Sequence, residues 1–134
     1  VVLVDTSVWI SLLNGNTGKN VTDDDLLQFV TTGPIVQEVL QGIGRDNQRI
    51  WFKHLLLAVP RISDPLSIHV FLRAAEIYAQ GRRQGYTIRS FSDCLIAAIA
   101  IQNDVPIWHR DRDFTAIARF TPLRAYDRLD QVGR

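Results

Sequence analysis

Five short apolar runs, spaced by helix-length segments, constrain this chain more than any other feature. They lie at Val1–Val4 (VVLV), Phe29–Thr32, Val59–Ile62, Val105–Trp108 and Leu123–Tyr126. Each has strand length. A crossover of a dozen or more residues, usually a helix, is what joins parallel neighbours in a sheet. The alternation therefore predicts an α/β fold, a three-layer α/β/α sandwich around a central parallel five-stranded sheet. No internal repeat and no Pro-, Ser- or Gly-rich linker divides the 134 residues, of which 46% are apolar. One domain over residues 1–134 follows, large enough to bury a real core.

Local signals place the helices. Thr6 or Ser7 is a candidate cap for a helix running through Leu13. The stretch from Asn14 to Asp24, rich in Asn, Gly, Thr and Asp, predicts a mobile loop. Its Gly15–Lys19 piece lacks the spacing and the hydroxyl of a phosphate loop, and Asn20-Val21-Thr22 is a sequon that a cytosolic chain does not use. Asp25 starts a short helix before the second strand. Pro34 stands in the first turn of another, whose apolar stripe is Ile35, Val36, Val39, Leu40 and Ile43, with Glu38 on its edge. Further helices are expected over residues 47–58 and from Pro65 to Gln84, the latter ended by Gly85. Ser90-Phe91-Ser92-Asp93 reads as a capping box for a helix from Cys94 to Gln102 that is apolar on every face, and such a helix is buried. Phe114 to Phe120 makes a last short helix.

Composition excludes several classes. The formal charge is +1, so no global positive field announces nucleic acid. The single cysteine, Cys94, permits no internal disulfide and fits a reducing compartment. The apolar run Cys94–Ile101 is far short of a bilayer span, and VVLVDTSVWISLL is broken by Asp5 and carries no basic leader. We expect a soluble, unexported, cytoplasmic protein without membrane contact.

In parallel α/β sheets the active crevice lies beyond the carboxyl ends of the strands. Asp5 follows the first strand and Asp111 the fourth, while Glu38 and Asp93 occupy early turns of helices whose starts face the same edge. Taken singly, Asp5, Asp93, Asp111 and Asp113 read equally well as helix caps, and Glu38 as a helix-surface residue. Taken together they are four carboxylates converging on one cleft. Clustered carboxylates repel one another, and a divalent cation relieves the repulsion. Mg2+ or Mn2+ suits an open set of oxygen ligands and phosphate chemistry. Zinc does not fit, because His54, His69 and His109 lack ligand spacing. Outside those four acids the chain keeps fifteen basic against ten acidic side chains. Arg82, Arg83, Arg89, Arg110 and Arg112 flank the cleft segments, where guanidinium forks hold phosphates.

The opening V-D-T-S-V-W, the Glu38 helix after a proline, the R-S-x-x-D-C-L-I-A-A helix start and the H-R-D-R-D-F segment after a strand recur in this order over essentially the whole chain. In that ordered set the sequence resembles the PIN-domain family, specifically the VapC-type toxins of toxin-antitoxin pairs. The resemblance implies that Asp5, Glu38, Asp93 and Asp111 form an acidic quartet that binds metal and carries catalysis, with Asp113 as an auxiliary acid. It implies that Thr6 or Ser7 supports Asp5 or a metal-bound water. It further implies a metal-dependent endoribonuclease in which an activated water attacks RNA phosphodiesters, leaving 3′-hydroxyl and 5′-phosphate ends. A cognate VapB-type antitoxin and a toxin homodimer belong to the same expectation. Arg89, Arg110, Arg112 and His109 are the candidate substrate contacts, although many members carry Thr or Ser where this chain has His109, so a positional role for that imidazole is the preferred reading. Trp9 and Trp51 are candidate antitoxin contacts. A non-catalytic RNA- or protein-binding module of the same fold is the alternative. A haloacid-dehalogenase-type phosphatase needs a second Asp where Ser7 stands, and a receiver domain needs a late lysine, whereas the only lysines are Lys19 and Lys53.

Overall fold

A computed structural model describes residues 1–13, 21–44 and 46–126. Its elements in chain order are β1 (Val2–Val4), α1 (Thr6–Leu13), α2 (Asp23–Leu26), β2 (Phe29–Val30), α3 (Gly33–Gln41), α4 (Asp46–Ala58), α5 (Ile68–Arg83), α6 (Phe91–Gln102), β3 (Ile107–Trp108) and α7 (Arg112–Ala118). The Gly15–Lys19 piece, Asn20 and most of the loop expected from Asn14 lie outside the described residues.

The sheet is parallel, in the order β2-β1-β3. β1 pairs with β2 in the register Val2↔Phe29 and Leu3↔Val30, and with β3 in the register Leu3↔Ile107 and Val4↔Trp108. All of these strand residues are buried, as expected of a sheet covered on both faces. Three strands are present among the described residues rather than the five expected. The Val59–Ile62 run contributes a single parallel bridge, Thr31↔Arg61, and Leu123–Tyr126 contributes Ile107↔Ala125. Pro60, which has no N–H to give, sits in the middle of the first of these runs, and Pro122 immediately precedes the second. A pair of hydrogen bonds holds each run to the sheet edge: Thr31 N–H to Pro60 O and Ile62 N–H to Thr31 O for the first, Ile107 N–H to Arg124 O and Tyr126 N–H to Ile107 O for the second.

The helices follow the apolar pattern, with shifted ends. α2 starts at Asp23 rather than Asp25 because Thr22 caps it in a reciprocal box with Asp25. α5 starts at Ile68, three residues after Pro65, behind Ser67. It stops at Gln84 because Gly85 takes φ +85°, a conformation glycine adopts without strain. The residues of α6 from Asp93 to Ala100 are all buried. α6 packs along α5 and against α3 and α7, which is what a helix apolar on every face requires. Trp9 is 1% exposed and meets Phe29 edge to face with centroids 5.8 Å apart, so it is a core residue and not a surface contact. Trp51, 60% exposed on α4, remains at the surface.

No described helix is long and apolar enough to cross a membrane. From β1 the chain passes to one side for β2 and later to the other for β3. The crevice therefore falls where the connections diverge, beyond the carboxyl ends of β1 and β3.

Candidate active site

The register places the functional edge. Val4 is opposite Trp108, and Asp5 N–H donates to Trp108 O at 2.9 Å, so the residues after β1 and β3 leave the sheet side by side. Asp5 itself, not Thr6 or Ser7, caps α1. Its carbonyl accepts from Trp9 N–H at 3.1 Å and its Oδ2 from Ser7 N–H at 3.2 Å. The Ser7 hydroxyl donates to the same Oδ2 at 2.7 Å and accepts Arg110 N–H at 3.1 Å, which ties the start of α1 to the segment after β3.

Asp111 caps α7, its Oδ1 accepting Asp113 N–H at 2.9 Å. That turn directs Asp113, 7% exposed, inward alongside Asp111. Asp93 in the first turn of α6 completes the group: Asp93, Asp111 and Asp113 each offer a carboxylate oxygen, all within 4.8 Å of one another. The expected Ser90 capping box does not form. Ser90 makes no side-chain bond to the helix backbone; its hydroxyl pairs with that of Ser92 at 2.8 Å, and Asp93 Oδ2 is buried without a hydrogen-bond partner. Asp93 thus faces the other acids rather than its own helix end.

Glu38 is held from two directions. Thr6 Oγ1 donates to its Oε1 and Ser92 Oγ to its Oε2, each at 3.0 Å, so β1–α1, α3 and α6 meet through one carboxylate. Thr6 therefore supports Glu38 and Ser7 supports Asp5. Neither Asp5 nor Glu38 belongs to the 4.8 Å group, but both act on it electrostatically.

Two of the acids, Asp93 and Asp5, sit where ionisation is opposed. Burial pushes Asp93 up to about 8, and the negative charges of Asp111, Asp5, Asp113 and Glu38 add to the rise. Asp5 is also raised, chiefly by burial; hydrogen bonds from Ser7 and Thr6 oppose the shift and Glu38 adds to it. A hard divalent cation removes both causes. The unpartnered Asp93 Oδ2 and the spacing of the three carboxylates fit an oxygen-coordinated ion such as Mg2+ or Mn2+. Cys94 beside Asp93 offers no thiolate, since burial and the adjacent carboxylates push its thiol up to about 11.

His109 is half-buried, 5.1 Å from the ring of Phe114, and its Nδ1 accepts Asp111 N–H at 3.1 Å. The proton of the neutral ring therefore sits on Nε2. Burial lowers its pKa, and Asp111 partly offsets that. Of the flagged arginines, Arg89 and Arg112 line a depression that reaches Asp113, and Arg110 is exposed beside the Ser7 tie. Arg83 is engaged by Glu76 at 3.1 Å, and Arg82 borders a different depression. Sequence reasoning missed Ser92 as a Glu38 donor and Arg119 as a neighbour of Arg89 and Arg112. Ser92 was hidden by its resemblance to a capping residue. Arg119 stands seven residues after Arg112, a helical spacing that does carry a signal.

The PIN domain family model matches residues 2–120. Ribonuclease VapC11 of Mycobacterium tuberculosis is 35% identical over 130 residues, covering 92% of this chain and 96% of the relative. The VapC ribonuclease Mb1587 of Mycobacterium bovis gives the same figures. Among solved structures, VapBC2 from Rickettsia felis, bound to a DNA fragment from its promoter, superposes with a TM-score of 0.72 at 15% identity over 93% of this chain and 96% of that one. VapC20 of Mycobacterium tuberculosis, a sarcin-ricin loop cleaving toxin, gives 0.61 at 18% identity over 92% and 99%. At such identities these structures speak for the fold alone.

Proposed function

This chain belongs to the PIN-domain family, and from that premise we propose that it is a VapC-type, metal-dependent endoribonuclease toxin that hydrolyses RNA phosphodiesters. The observation that carries the reading is the set of three carboxylate oxygens within 4.8 Å, with the buried, unpartnered Asp93 Oδ2 among the groups facing it. Repulsion of this kind destabilises a fold unless a cation is normally bound there.

Asp93, Asp111 and Asp113 would hold Mg2+ or Mn2+, with Asp5 and Glu38 completing the negative field. When bound, such an ion supplies Lewis acidity at a phosphoryl oxygen and lowers the pKa of water. The chain's own residues do the positioning. Ser7 fixes the rotamer of Asp5, Thr6 and Ser92 fix Glu38, and the Asp111 cap orients Asp113. His109 holds the Asp111 main chain through Nδ1, which supports a positioning role for it. Arg89, Arg110 and Arg112 bind the substrate backbone, where guanidinium groups pair with phosphate oxygens.

The same reading includes residues 1–134 as one domain, with the bridged segments at Arg61 and Ala125 as outer strands of a five-stranded, three-layer sandwich. Relatives of known structure include a toxin-antitoxin complex from Klebsiella pneumoniae and VapBC-1 from nontypeable Haemophilus influenzae. A VapB-type antitoxin is accordingly the partner, a homodimer the assembly and the cytoplasm the site of action. Incubation of the purified chain with structured RNAs in Mg2+ or Mn2+, followed by sequencing of the RNA ends, tests the proposal. Cleavage that stops with EDTA and with Asp93→Asn or Asp5→Asn is expected. Binding without any metal-dependent cut across a broad RNA panel would overturn it.

A further inference from the structure

Beside the acidic cluster runs a groove of about 490 Å3 between α7 and the segment that follows α5. Arg89, Arg112 and Arg119 line it, with Tyr86 and Thr87, and its single lining carboxylate is Asp113. All three arginines are exposed, and among the described residues none of their side chains has an ion pair or hydrogen-bond partner. Of the other arginines, Arg61 pairs with Asp64, Arg83 with Glu76 and Arg124 with Asp104, whereas Arg73, Arg82 and Arg110 stand singly and do not share this groove. Three uncompensated guanidinium groups in one concave surface repel each other and attract an anion.

The spacing says what kind of anion. Arg112 and Arg119 are seven residues apart at the two ends of α7, two helical turns and about 10 Å along the axis. One phosphate would serve both only by drawing the two side chains together; a chain of phosphates serves them at their own spacing, and Asp113 at the groove wall is shared with the hydrolytic centre. An acidic peptide would also find the arginines, but at Asp113 it would bring carboxylates against carboxylates. A phosphodiester chain instead has one linkage that belongs at the centre itself.

We propose that this groove is a subsite for single-stranded RNA flanking the scissile phosphodiester, in which Arg89, Arg112 and Arg119 bind successive phosphates. The proposal rests on the ribonuclease reading and adds to it the direction in which the strand leaves the centre, together with Arg119 as a substrate-binding residue.

The test separates binding from cleavage. A fluorescently labelled, mixed-sequence oligoribonucleotide is titrated in EDTA with the wild type and with Arg119→Ala, Arg89→Ala and Arg73→Ala, over a range of salt concentrations. Arg73, exposed on α5 beside a separate groove with His69 and Gln80, is the charge-matched control. Arg119→Ala and Arg89→Ala are each expected to weaken binding about three- to tenfold and to reduce the log–log salt slope by about 0.7. In Mg2+ they raise KM while kcat stays within about twofold, as removal of uniform binding requires. Arg119→Lys recovers most of the affinity, and Arg73→Ala behaves as wild type. Unchanged binding and KM in the Arg119 and Arg89 variants, with a wild type that cuts RNA, overturns the groove and leaves the ribonuclease reading standing. A wild type that cuts no RNA, with variants that lose binding, overturns the activity and keeps the groove. A wild type that does not bind the probe at low salt overturns the groove outright.

Discussion

Asp93→Asn should make the metal-free protein more stable while removing its activity. In the folded chain Asp93 is pushed from 3.8 up to about 8, so at pH 7 the unfolded chain releases a proton that the folded chain keeps. The resulting penalty has a ceiling of about 4 kcal/mol at pH 7, at 1.36 kcal/mol per pH unit. Water entering the open cleft and reorientation of the carboxylates reduce this to on the order of 1–2 kcal/mol. For a chain of this size that is a rise of roughly 3–8 °C in melting temperature. The sign follows from the linkage. A folded-state pKa above the unfolded value leaves stability intact below pH 3.8 and removes it progressively as pH rises to about 8. The difference between variant and wild type in EDTA should therefore widen from pH 5 to pH 7. At pH 5 the same arithmetic leaves a ceiling of only about 1.6 kcal/mol. Saturating Mn2+ should reverse the order, because the wild type then gains an ion that the variant holds poorly. A variant that melts below the wild type in EDTA at pH 7, or a gap equal at both pH values, would refute the reasoning that burial, reinforced by the neighbouring carboxylates, opposes the ionisation of Asp93.

Mn2+ at a hundredfold its Kd should stabilise the wild type by about 2.7 kcal/mol, and Asp111→Asn or Asp113→Asn should remove most of that gain; equal melting shifts in all three proteins would exclude these carboxylates as ligands. Ser92→Ala takes away one of the two hydroxyl donors to Glu38. A loss of about tenfold or more in metal affinity or activity is expected, measured by metal titration of the cleavage rate, since partners that orient the acids matter nearly as much as the acids. Activity equal to wild type would show that Thr6 alone fixes Glu38. Cys94, buried and with its thiol pushed up to about 11, should resist iodoacetamide at pH 8 in the native protein and react readily in urea. Rapid native labelling, followed by mass spectrometry, would contradict the burial.

Much of this molecule is written in short-range chemistry. VVLV reads as a strand because four apolar, mostly β-branched residues end at an acid, and the structure has β1 there. The apolar run after Asp93 demands a helix covered on every side, and α6 is that helix. Asp5 and Asp111 stand at strand ends by residue order alone, and the known switch-point geometry of parallel sheets brings them to one crevice. These are features for which a period of two or 3.6 residues, or one capping position, is enough information.

Other features depend on what arrives from elsewhere in the chain. Ser90 and Asp93 match a capping box locally, yet the approach of Glu38 makes Ser92 a donor to a carboxylate 54 residues away, and Asp93 lies with Asp111 and Asp113 instead. Trp9 is as apolar as any interface residue, and only the position of Phe29 decides that it is buried. Two runs with strand character shrink to single bridges beside a short sheet edge, and Pro60 withholds an N–H from one of them. Whether an arginine is free or paired is likewise decided by the backbone around it: Arg83 finds Glu76, while Arg119 finds open space beside Arg89 and Arg112. The sequence by itself determined which residue types, and in what order, reach the carboxyl edge of the sheet. Tertiary packing decided which carboxylates share a cation, which hydroxyls hold them and which arginines stay open to an anion, because those are contacts between residues that no local period relates.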